Sequence, residues 1–149
     1  MASGRIIVLK GNPIVKEGKA GAAGILPGHR LSLVGAPLLG DVVVAGAADE
    51  DDPGRKAFAV EADVIGNDAT QVYADNDQVK YVVAGPGDEL NARAVVSLTW
   101  VIGAPLYAAA AGQITDMPGT TGVAFAPIGY ALSSVTTSTA NQLVPIEVA

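Results

Sequence analysis

Apolar residues recur at every second position in short runs along this chain, and each run stops at a glycine, a proline or an Asn/Asp turn. A period of two sets one face of an extended strand against a core, whereas a helix needs apolar positions three and four apart. The runs predict strands over Arg5–Leu9, Arg30–Val34, Asp41–Ala45, Lys56–Glu61, Gln78–Ala84, Leu90–Val96, Leu98–Ile102, Leu106–Ala110, Gly122–Phe125, Gly129–Ser134 and Leu143–Val148. Strand starts about 8–12 residues apart are the pattern of a small barrel or sandwich. The 18 glycines and 9 prolines are spread evenly, which disfavours long helices. Ile14–Ala23 is the one helix-like stretch, but Gly18 and Gly21 each weaken a helix by about 1 kcal/mol, and we read it as a loop.

The fold class predicted is all-β: a small barrel or jelly-roll-like sandwich of short antiparallel strands with an extended amino-terminal segment. One domain over residues 1–149 is expected, with 1–19 as an extended docking arm. One device recurs, a tight turn feeding a half-buried strand. It begins at Leu26, Ala74 and Val101, spacings of 48 and 27 residues, so it is no tandem repeat.

Composition adds a second layer. Hydrophobic residues make up 50% of the chain and charged residues only 16%, against about a quarter in ordinary soluble domains. So little charge points to a surface covered by a partner, with a tight β core rich in small residues as the alternative. Residues 1–30 carry five basic groups and one acid, a balance of +4. The remainder carries four basic and fourteen acidic groups, −10, and the two sum to −6. An acidic chain is a poor ligand for nucleic acid, so none is expected as a partner. Its basic amino-terminal stretch suits an acidic protein surface. Cysteine is absent, which excludes disulfides and thiolate metal sites.

Ala94–Thr115 has 22 residues without a charge, long enough to span a bilayer. Pro105 would break a helix near its middle. A pair of buried strands meeting at Gly103-Ala104-Pro105 is predicted instead, and no membrane partner is expected.

Candidate chemistry is sparse. Between Gly11 and Gly18 lie six residues where a phosphate loop needs four, and Ala20 stands where a magnesium-holding hydroxyl belongs. Asp49, Asp51 and Gly54 fit positions one, three and six of a calcium loop, but Pro53 and Val60 fail at five and twelve, so the run reads as a solvated loop tip. His29, the single histidine, has no serine elbow or cysteine to serve, and we place it at a turn with its ring partly exposed. Asp88 and Glu89, adjacent on a strand, would face opposite ways. Nothing marks an enzyme, and no cofactor is expected. Trp100, Tyr73, Tyr81, Tyr107 and Tyr130 could supply a stacking surface, which motivates the alternative of a carbohydrate- or small-ligand-binding β module.

A set of motifs in fixed order narrows the choice. Ala57-Phe58-Ala59-Val60-Glu61 is followed by a Gly-Asn-Asp turn at Gly66-Asn67-Asp68. Then come Tyr73-Ala74-Asp75-Asn76-Asp77-Gln78-Val79 and Gly85-Pro86-Gly87-Asp88-Glu89-Leu90-Asn91-Ala92. Gly24-Ile25-Leu26-Pro27-Gly28-His29-Arg30-Leu31 precedes them, and Gly122-Val123-Ala124-Phe125-Ala126 and Val144-Pro145-Ile146-Glu147-Val148 come after. This order resembles the head decoration, or cement, proteins of tailed bacteriophages. Two positions depart from the family pattern: Asn76 stands where a glycine precedes the Asp, and Gly103-Ala104 stands where Gly-Asp is common.

The resemblance covers roughly residues 20–149. It implies a non-enzymatic virion protein, made in the host cytoplasm, on the outer capsid surface. There it would bridge neighbouring major capsid protein subunits and stabilise the shell as a homo-oligomer, dimer or trimer. The charge asymmetry makes Arg5, Lys10, Lys16 and Lys19 the candidates for capsid docking.

Overall fold

The computed structural model describes residues 7–32, 41–44, 56–62, 68–117 and 126–149. The fold is almost entirely β and includes a small closed barrel. Among the described residues thirteen short strands run in the order β1 (Val8–Lys10), β2 (Ile14–Ala20), β3 (Arg30–Ser32), β4 (Asp41–Val44), β5 (Ala57–Ala59), β6 (Gln78–Val83), β7 (Glu89–Ala94), β8 (Thr99–Trp100), β9 (Pro105–Ala108), β10 (Ile114–Thr115), β11 (Gly129–Ala131), β12 (Val135–Thr136) and β13 (Gln142–Val148). Among the described residues one 3-10 turn lies at Ala110–Gly112. Strands β2-β4-β3-β5-β6 close the barrel. The second sheet runs β1-β7-β10-β9-β11-β13, and β13 also pairs with β7, so its pairing returns on itself. A two-stranded ribbon joins β8 to β12.

The period of two explains how the two sheets share one chain. On β5, Ala57 and Ala59 point into the barrel with Ala20, Ile25, Leu31, Val79 and Tyr81. Phe58 points the other way, with Val82 and Ala84, into a core lined by Leu90, Ala92, Ala94, Leu106, Ile114, Val144, Ile146 and Val148 of the second sheet. A five-stranded barrel has a narrow lumen, and small side chains fit it. On β5 the two alanines therefore face the lumen and Phe58 faces outward, where the second sheet covers it. Ala57, Phe58 and Ala59 are all fully buried, so β5 exposes neither face. Much of the chain's apolar excess is thus spent on two internal cores, and only part of it is left for an outer partner.

Several sequence expectations shift. Ile14–Ala20, read as a loop, is β2; it pairs antiparallel with β6 from Ile14↔Val83 to Lys19↔Gln78. Its pattern hid it, because every residue from Ile14 to Glu17 is exposed and no apolar alternation marks the run. The stretch expected to be an extended arm is, from Ile7 onward, part of both sheets. Ala94–Thr115 holds β8, β9 and β10 around the predicted turn, and no helix among the described residues is long and apolar enough to cross a membrane. The strand expected over Gly122–Phe125 lies outside the described residues.

Candidate interaction surface

Strand β7 organises the junction between the two sheets. One of its edges pairs along its length with β13. The other edge is met by three separate segments. Asn91 N donates to Ile7 O (2.7 Å), Arg93 N to Gly28 O (3.0 Å) and Val95 N to Ile114 O (3.1 Å). Gly28 also donates its own N–H to Ala59 O of the barrel (2.8 Å), so its peptide groups bond to both sheets. The position demands glycine. Its φ is +93°, and a Cβ there would lie 2.8 Å from Leu143 Cδ2 and 3.2 Å from Asn91 O.

Around this pin sits a buried polar clasp. Arg93 donates from Nε to Pro27 O (2.8 Å), from one terminal nitrogen to Asn141 O (2.7 Å) and from the other to Ala69 O. His29 is buried, not partly exposed as expected. Leu26 N donates to its Nδ1 (3.1 Å), which makes Nδ1 the acceptor and leaves the proton on Nε2. Nε2 then donates to Asn141 Oδ1 (2.8 Å), which also accepts from Gln113 Nε2 (2.8 Å). Burial lowers the pKa of His29; the Asn141 hydrogen bond raises it and the Arg93 charge lowers it further, and the net shift is downward. The ring is held neutral as a structural link.

The four proposed docking residues do not form one basic patch. Arg5 lies outside the described residues. Lys10 sits on the second sheet and is paired with Glu89 at 3.3 Å. Lys16 and Lys19 are exposed on β2 of the barrel, three positions apart and so on opposite faces. Beside Lys19, an open cleft of about 420 Å³ is lined by Glu17, Gly18, Lys19, Asn76 and Gln78. Its acid is engaged, since Gln78 Nε2 donates to Glu17 Oε2 (2.7 Å).

The stacking platform imagined for a sugar-binding module does not assemble. Tyr73, Tyr81 and Trp100 are buried, and the Tyr73 hydroxyl donates to Val60 O (2.7 Å). Tyr130 alone of the five is exposed. Among the described residues no three His, Cys, Asp or Glu side chains gather to hold a metal ion. The acidic run Asp49–Asp52 lies outside them. Exposed large apolar residues that sequence reasoning missed include Ile14 and Val15 on β2 and Val101 and Ile102 at the β8–β9 turn. Only the adjacency of two apolar residues in each dipeptide hinted at them, since a one-sided strand can bury just one of any such pair.

No family model matches the chain, and no curated protein is similar to it in sequence. Among solved structures it is similar to the N base of head fiber gp8.5 in bacteriophage phi29. The TM-score is 0.56 at 13% identity, over 91% of this chain and 93% of that chain. At that identity the likeness is one of fold.

Proposed function

We propose that this chain is a virion structural protein that decorates the outer surface of a phage capsid and stabilises it by bridging neighbouring major capsid protein subunits. The observation that carries the reading is the fold shared, nearly end to end, with the base of a phage head fiber. The motif order is a second support, and three of the motifs have structural roles among the described residues. Ala57-Phe58-Ala59 divides itself between two cores. Pro27-Gly28-His29 joins the sheets. The Asp75-Asn76-Asp77 turn closes with Ala74 N donating to Asp77 Oδ2 (2.8 Å), and Asn76 holds a φ of 68° where glycine was expected. Asn tolerates that conformation better than most residues.

Docking through Lys16 and Lys19 follows from their exposure on an otherwise acidic body. Deleting residues 1–19 would remove β1 and nearly all of β2, so charge reversal is the cleaner test. Purified protein should co-sediment stoichiometrically with DNA-filled heads that lack it. Lys16→Glu with Lys19→Glu should reduce occupancy at low salt, and raised salt should weaken wild-type binding. Heads that never retain the wild-type protein would overturn the proposal.

A further inference from the structure

For most of its length strand β2 is paired on one side only. It meets β6 from Ile14 to Lys19, whereas β4 closes the barrel against it at Lys19 and Ala20 alone. The direction of its peptide groups follows from the bonds around the ladder. Ala20 N donates to Asp77 O (2.8 Å), so Ala20 faces the β6 side. Bonded residues alternate along an antiparallel pair, so Gly18, Lys16 and Ile14 also face β6. Strand β6 agrees. Val60 N donates to Lys80 O (3.0 Å) and Ala84 N to Lys56 O (2.9 Å), which turns Lys80, Val82 and Ala84 toward β5 and leaves Val79, Tyr81 and Val83 for β2. Val15 and Glu17 therefore point their N–H and C=O groups out of the other edge. Among the described residues nothing bonds to them there.

The side chains along this edge are not those of a strand that only has to stay solvated. Such edges are shielded by charge, proline or a bulge. Here Ile14 is 62% and Val15 58% exposed, and as neighbours on a strand they cover its two faces. Lys16 shares the face of Ile14, is exposed, and has no ion-pair partner among the described residues. The Glu17 carboxylate is already engaged, accepting from Gln78 Nε2 at 2.7 Å.

We propose that the outer edge of β2 receives an added strand from a second protein. Two main-chain donors and two acceptors, on Val15 and Glu17, supply the ladder, and the side chains select the sequence. The segment that fits is extended, apolar where it meets Ile14 and Val15, and carries a carboxylate beside Lys16. The inference rests on the decoration reading, which makes the partner an exposed segment of the capsid, and it gives that reading a mode of attachment.

Glu17→Pro tests the main chain directly. Proline removes the outward N–H and none of the bonds to β6. Glu17→Ala is the control, since it also lacks the carboxylate but keeps the N–H. Both should retain the wild-type circular dichroism spectrum. On purified heads that lack this protein, Glu17→Pro should bind about tenfold or more weaker than Glu17→Ala. Hydrogen exchange should slow in the peptide holding Val15 and Glu17 when the wild-type protein binds heads. Should Glu17→Pro misfold, Val15→Pro against Val15→Ala repeats the comparison, and the exchange measurement needs no variant. Equal binding of the proline and alanine variants, or exchange unchanged on heads, would overturn the added strand and leave decoration standing. Exchange that slows without heads as protein concentration rises would give the edge to another copy and overturn the capsid partner. Heads that never retain the wild type remove both readings.

Discussion

At the residue scale the structure turns on Gly28. Gly28→Ala places a Cβ against Leu143 and forces a left-handed φ on a side chain. We expect a loss of about 2–4 kcal/mol, from strain plus overpacking, readable as a lowered urea midpoint with an unchanged slope. Its neighbour His29 gives a pH prediction. The ring's ordinary value is 6.5 and the folded one is lower. Between these two values the unfolded chain takes up the proton more readily than the folded one. The contribution is therefore intact above about pH 6.5 and is lost as pH falls through the lowered folded value. Protonation puts a hydrogen on Nδ1, where Leu26 N–H already points. Chemical denaturation across that window should show the decline, and His29→Gln should flatten it. If the variant keeps the same acid slope, another group is responsible.

At the scale of elements, β5 sets the packing. Phe58→Ala should cost about 3–5 kcal/mol, because the hole opens in the larger core where no lumen residue can fill it. Ala57→Val should cost about 1–3 kcal/mol for the opposite reason, overfilling the barrel lumen. Thermal or urea unfolding measures both. The strands themselves were legible where one face is buried: Gln78–Val83 and Glu89–Ala94 start within a residue of their expected positions. The sequence failed at β2, whose ladder bonds to β6 hold it in place with little apolar burial. It failed again at β10 and β12, two residues each, too short to show a period. Sheet membership was not legible at all. Nothing in Ala57-Phe58-Ala59 says that its two faces serve different cores, and nothing in Arg93 announces three distant carbonyls.

On the scale of the whole molecule, charge and apolar surface part company. Lys16 and Lys19 sit on β2 of the barrel, whereas exposed Val101, Ile102 and Tyr130 belong to the second sheet and the turn that leads into it. The sequence carried the charge asymmetry plainly, but the sides on which it falls depend on pairings between residues more than 60 positions apart, such as Val8 with Leu90. Those pairings also govern the order of assembly. All five barrel strands lie between Ile14 and Val83, so the barrel can close while synthesis continues. Leu90 must wait, since it sits between Val8 and Ile146 and its second neighbour emerges 56 residues after it. During that interval Phe58 and Val82 face water with no second sheet to cover them. The nascent barrel is thus the aggregation-prone species of this protein, and contacts of such long sequence separation place its final closure among slow-folding β topologies.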